Sequence, residues 1–124
     1  MTLLATPHRH LTKTELEAIQ SFVHKVERRF PDRLLSILLF GSRARGDAGP
    51  DSDMDLLVIL DDPDLETRRT IRDLAVEVWL TYGIYLSTRV WSEVDRRRHA
   101  DLQSAFYNNL QRDAINVFTP VIVR

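Results

Sequence analysis

Cysteine is absent from the 124 residues, which excludes a disulfide framework, a thiol nucleophile and any zinc site built on thiolates. Glycine and proline are scarce, 4 and 5 residues, so the chain lacks the composition of a collagen-like or low-complexity protein. No apolar run approaches the ~18–20 residues needed to span a bilayer, and Met1 to His10 has no apolar segment of the signal-peptide kind. A cytoplasmic location is the default expectation. Charge of one sign is also missing: 17 Lys and Arg stand against 18 Asp and Glu, so the whole molecule is not drawn electrostatically to nucleic acid. Any phosphate recognition must be local.

What remains is ordinary globular material. A composition of 44% hydrophobic and 28% charged residues supports one packed core, and a chain of this length buries very roughly two thirds of its unfolded surface. A single domain over 1–124 is expected, with 1–10 as a loose N-terminal segment.

Thr12 and Thr14 each precede a glutamate by three residues, Glu15 and Glu17, a capping-box pattern. Leu16, Ile19, Val23, Val26 and Phe30 follow at helical spacing, predicting an amphipathic helix that ends at Pro31. Leu34 to Phe40 is almost continuously apolar and reads as a strand buried on both faces. The polar segment Gly41 to Ser52 reads as a functional turn with one helical turn, and a second strand runs from about Met54 to Leu60. Asp61-Asp62-Pro63-Asp64 signals a helix start, and Leu65, Ile71, Leu74, Ala75, Val78 and Trp79 mark the core stripe of a helix closed near Gly83. A third strand is expected over Ile84 to Val90, with Ser87, Tyr85 and Arg89 on one face. Trp91 is expected to end it as a packing residue. A short charged helix from Ser92, a helix over Ser104 to Asp113, a strand over Ile115 to Phe118 and pairing of the apolar end Pro120 to Arg124 complete the pattern. The fold class is therefore α/β (α+β), a short mixed sheet flanked by helices.

The chemistry lies between the first two strands. Gly41 allows the backbone to approach a ligand closely, Ser42 offers a hydroxyl donor, and Arg43 or Arg45 can neutralise phosphate oxygens. Asp53 and Asp55, at i and i+2 of a strand start, share a face roughly 6 to 7 Å apart. A carboxylate pair beside a phosphate-binding turn is a hard-oxygen site suited to Mg²⁺.

Gly41-Ser42, ten intervening residues, then Asp53-Met54-Asp55 and the apolar Leu56 to Ile59 resemble the signature of the polymerase-beta-like nucleotidyltransferases. The string GSRARGDAGPDSDMDLLVIL is similar to their minimal prokaryotic branch. The resemblance implies that Ser42 contacts a triphosphate and that Asp53 and Asp55 coordinate the Mg²⁺ ions of a two-metal site. The reaction it implies is attack of an acceptor hydroxyl on the α-phosphate of ATP, with release of pyrophosphate. It also implies an antitoxin-like role beside an all-helical (HEPN-type) ribonuclease toxin, onto which some members transfer AMP.

One element of the pattern is missing. Active members carry a third carboxylate on a later strand, and the matching position here is Ser87. Glu93 and Asp95 follow in a helix-start pattern, while Asp61 and Asp62 lie at the wrong end of the second strand. Loss of a positioned general base typically removes about 10² to 10⁴ in rate. Two functions therefore stay open: a Mg²⁺-dependent transferase, or a nucleotide-binding or partner-binding antitoxin module with weakened chemistry. An antibiotic-modifying transferase fits less well, because the chain is short for an added substrate domain. The basic run Arg96-Arg97-Arg98-His99 reads as a solvated helix face. The four histidines lack metal-ligand spacing, and no sequence feature fixes the oligomeric state.

Overall fold

The computed structural model describes residues 11–46 and 53–118. The expectations for 1–10, for Asp51 and Ser52 and for Pro120 to Arg124 lie outside these residues. Among them, no helix is long and apolar enough to cross a membrane.

Helix α1 (Lys13–Arg29) begins at Thr12, whose hydroxyl accepts from the Glu15 N–H while the Glu15 carboxylate accepts from the Thr12 N–H. The capping box is thus formed at the first of the two candidate sites. Its buried stripe is Ala18, Ile19, Phe22, Val23 and Val26. The next elements are β1 (Leu34–Phe40), the single turn α2 (Ser42–Arg45), β2 (Met54–Leu60) and α3 (Leu65–Tyr82). Asp64 caps α3, accepting from the Thr67 N–H at 2.8 Å, and Gly83 ends it with φ 73°. A residue in the left-handed region is a common helix stop, and glycine takes that conformation without strain. Helix α4 (Glu93–Asp101) has its own capping box between Ser92 and Asp95, and Ser104 caps α5 (Ala105–Asp113). The last element is β4 (Ile115–Phe118).

Strand β3 occupies Leu86–Ser92 rather than Ile84 to Val90. Its limits are set by the parallel ladder with β2, from Met54 opposite Leu86 to Leu60 opposite Ser92. The two residues after Gly83 carry the chain from the helix to that ladder. The sheet order is β3-β2-β1-β4, with β1 antiparallel to both β2 and β4. The parallel pair is joined through α3, as a parallel connection requires.

Alternation along the strands separates two faces. Ile37, Leu39, Leu56, Val58 and Leu60 pack with α1 and α3 in the larger core. Leu57, Ile59 and Trp91 form the smaller one with Leu110 of α5, joined by Leu38, Phe40 and Phe106. Trp91 therefore lies within β3, where it stacks on His99 at 4.3 Å. Trp79 and Leu65 do not join the core stripe: they are 49% and 63% exposed. Residues 71, 75 and 78 already fill the inward arc of α3, and Trp79 sits one residue past it, against Tyr85.

Candidate active site

The smaller core sits toward one end of its face, and the other end carries the polar groups. Asp55 lies opposite Phe40 on β1 and Ser87 on β3. Since β2 alternates, Asp55 shares its face with Leu57 and Ile59, and Ser87 shares it with Arg89 and Trp91. Asp53 stands exposed immediately before β2. The structure thus places Asp53, Asp55 and Ser87 at one end of one sheet face.

The Gly41 turn closes against this end. Gly41 has φ 78°, a conformation that disfavours a side chain, and an added Cβ would sit 2.6 Å from Asp55 Oδ2. Only a residue without Cβ lets the turn lie on the carboxylate. The Gly41 carbonyl accepts from the Ala44 and Arg45 N–H groups at 3.1 and 3.3 Å, and the Ser42 carbonyl accepts from Gly46 at 2.9 Å. Ser42 is half-buried at the start of this turn, and Arg45 is exposed.

Arg43 takes a different place from the one expected. It is 5% exposed, and its Nη2 donates to both carboxylate oxygens of Glu15 at 2.6 Å. Its guanidinium is engaged inside the protein, so the exposed cation of the turn is Arg45 and Arg43 anchors the turn to α1. Glu15 positions the turn through Arg43, a role sequence reasoning missed because its capping role accounted for it fully.

Burial, then the charge of Asp53, push the Asp55 carboxyl above its ordinary value, against a weaker pull from Arg89. A carboxyl disfavoured as an anion by burial and by a neighbouring carboxylate is one whose charge a bound cation would relieve. Hard oxygen donors of this kind suit Mg²⁺, which retains waters and phosphate oxygens as further ligands. Among the described residues there is no group of three or more His, Asp or Glu placed to hold a metal. Glu93 and Asp95 do not supply a third acid. Glu93 pairs with Arg96 and Arg97, Asp95 caps α4, and both lie beyond Ser92, which pairs with Leu60 at the far end of β2 from Asp55. Asp61 and Asp62 also follow that far end.

A glycine-serine turn pressed on Asp55, with Asp53 just before the strand, at the end of a mixed sheet is an arrangement chemically suited to phosphate and a hard cation. Comparison with known proteins makes this specific. The model of the nucleotidyltransferase domain family matches residues 19–113, and the chain belongs to that family. Three relatives from Methanocaldococcus jannaschii, provisionally named protein adenylyltransferases, are 42%, 37% and 30% identical. The matches cover 56%, 64% and 69% of this chain. The first spans about half of its relative, 49%, and the others span 75% and 88%. Two solved toxin-antitoxin structures share the fold at 20% identity: MntA-HpeT (TM-score 0.51, 81% of this chain and 72% of that one) and a complex with AMP-PNP (TM-score 0.52, 79% and 71%). The family and fold expected from the sequence are borne out.

Proposed function

We propose that this chain transfers AMP from ATP to a hydroxyl of a protein partner, in an antitoxin-like role. The observation that carries the reading is the close approach of the Gly41 turn to Asp55, which supports a phosphate-holding role for the turn beside the carboxylates. The names of the relatives and the AMP-PNP of one structural neighbour support adenylyl transfer and ATP, and the toxin-antitoxin neighbours support a toxin partner.

In this reading Ser42 and the turn hold the β- and γ-phosphates, with Arg45 balancing their charge. Asp53 and Asp55 would hold Mg²⁺, which neutralises charge developing on the reacting phosphate and the departing pyrophosphate. The acceptor oxygen bonds to the α-phosphorus as the bond to the β-phosphate oxygen breaks. The hydroxyl proton passes to solvent or to a group brought by the acceptor, since Ser87 is not a base.

That last feature favours a second reading, a nucleotide-binding antitoxin module with weakened chemistry. Ser87 stands directly beside Asp55, at the position where the resemblance puts the third carboxylate. Calorimetric titration of ATP with and without Mg²⁺, on the wild type and on Asp53→Asn and Asp55→Asn, tests the site itself. Metal-dependent binding should be lost in both variants; its absence in the wild type would remove the nucleotide from the account. Transfer is then read as a mass gain of one AMP on the co-purified partner. Ser87→Asp should raise the rate by about 10² or more if a missing base limits it. An unchanged rate in a variant that still binds Mg-ATP counts against Ser87 as the vacant position.

A further inference from the structure

The turn and the carboxylates account for phosphates and a cation, yet none of their groups reads a base. A cavity of ≈ 180 Å³ opens beside them, lined by Phe40, Gly41 and Arg45 on one side and Phe106, Asn109, Leu110 and Asp113 of α5 on the other. It is far smaller than the ~300–1,000 Å³ of a site enclosing a drug-sized ligand, and holds about six waters' worth of liquid volume. That suits a single planar ring system. Gly41 is common to both sites, pressing on Asp55 and lining the cavity, so a nucleotide whose phosphates lie on the turn has the cavity within reach of its other end.

We propose that this cavity receives the nucleobase and selects adenine by its 6-amino group, through Asn109 and Asp113. The proposal rests on the nucleotide-binding reading above. Its walls are prepared for a ring. Phe40 and Phe106 pack edge to face at 5.2 Å, Phe106 is held by Trp91 at 5.5 Å, and the Arg89 guanidinium covers the Phe106 ring at 4.6 Å. The polar groups have the sign a base requires. The Asp113 carboxylate, held ionised by hydrogen bonds from Arg112, repels phosphate but accepts from an amino group. The Asn109 amide oxygen accepts from Arg112 at 3.1 Å and keeps a second lone pair, while its amide nitrogen makes no hydrogen bond among the described residues. A side-chain amide pairs with adenine through its 6-amino group and N7, which a 6-oxo purine cannot match.

The test compares ATP, ITP and inorganic tripolyphosphate binding to the full chain with Mg²⁺. ITP differs from ATP in carrying an oxo group where adenine has its amino group. ATP should bind on the order of 10-fold more tightly than ITP. Asn109→Ala, an exposed change that favours the helix, and Asp113→Asn should each bring the ratio toward one; tripolyphosphate affinity should stay in place in the first and be undiminished in the second, where a repelling charge beside Arg45 is removed. A wild-type ratio of one, or a ratio preserved in both variants, overturns the proposal. Failure of the wild type to bind even tripolyphosphate overturns the nucleotide reading, and this one with it.

Discussion

On the face of the sheet toward α1 and α3, Ile37, Leu39, Leu56, Val58 and Leu60 are all completely buried, against Ile19, Phe22, Val23, Val26, Ile71 and Val78. On the opposite face the apolar patch is smaller, and the end of the sheet beyond it carries Asp53, Asp55 and Ser87. The same strands build both, since alternation sends Leu56 one way and Asp55 and Leu57 the other. Two long helices seal the first face. Among the described residues the second is covered by α4 and α5, each of 9 residues. Stability is thus concentrated on one side and the candidate site on the other, with the half-buried Asp55 carboxyl as a cost that the sealed face offsets.

Substitutions should divide along this line. Phe22→Ala, wholly on the sealed side, should cost about 3 to 5 kcal/mol in urea unfolding while leaving Mg-ATP affinity of the folded fraction unchanged. Reduced affinity at full folding would mean that the faces are not separable. Glu15→Gln should cost about 3 kcal/mol, at the lower end for a broken buried pair because the amide still accepts from Arg43. Its penalty depends on pH. Burial raises the Glu15 carboxyl, but hydrogen bonds from Thr12 and Arg43 and the charge of Arg43 outweigh it and hold the group below its ordinary value. The stability it contributes is present above that ordinary value and lost as pH falls through the lowered one. The gap between wild type and Glu15→Gln should close in acid.

Gly41→Ala should cost about 1 to 3 kcal/mol of stability, because φ 78° with ψ -162° is a conformation essentially reserved to glycine. It should weaken Mg-ATP binding by more than about 10-fold, since the new Cβ displaces Asp55 Oδ2; unchanged affinity would show that the turn's contact is incidental. Asp55→Asn should have the smallest effect on the free protein and the opposite sign. A carboxyl raised above its ordinary value opposes folding once ionised, so the asparagine variant should melt slightly higher at neutral pH, and the advantage should vanish below the ordinary carboxylate range. Added Mg²⁺ should stabilise the wild type alone. A variant that melts lower in the absence of metal would place Asp55 among the stabilising residues.

The elements and the acids were legible because their signals are local. Thr12 to Glu15, Asp64, Gly83, Ser92 to Asp95 and Ser104 act within one turn of chain, and Asp53 and Asp55 are two residues apart. What escaped was set by distant partners. Arg43 looks like a phosphate ligand until α1 brings Glu15 to it across 28 positions. The limits of β3 belong to the β2 ladder, and the α5 side of the cavity has no motif. Trp79 fits a helical stripe by spacing, but the arc that α3 buries is narrower than the stripe.

Glu15 Oε1 accepts from both the Thr12 N–H and Arg43 Nη2, so one oxygen serves the beginning of a helix and the floor of the candidate site. Helix ends ordinarily fray at little free-energy cost, independently of the rest of the fold. Here the first turn of α1 cannot open without releasing Arg43, and the Gly41 turn cannot drift from Asp55 without pulling on that helix end. The two should therefore exchange their amide hydrogens as one cooperative unit, and a molecule bound at the turn should quieten the start of α1.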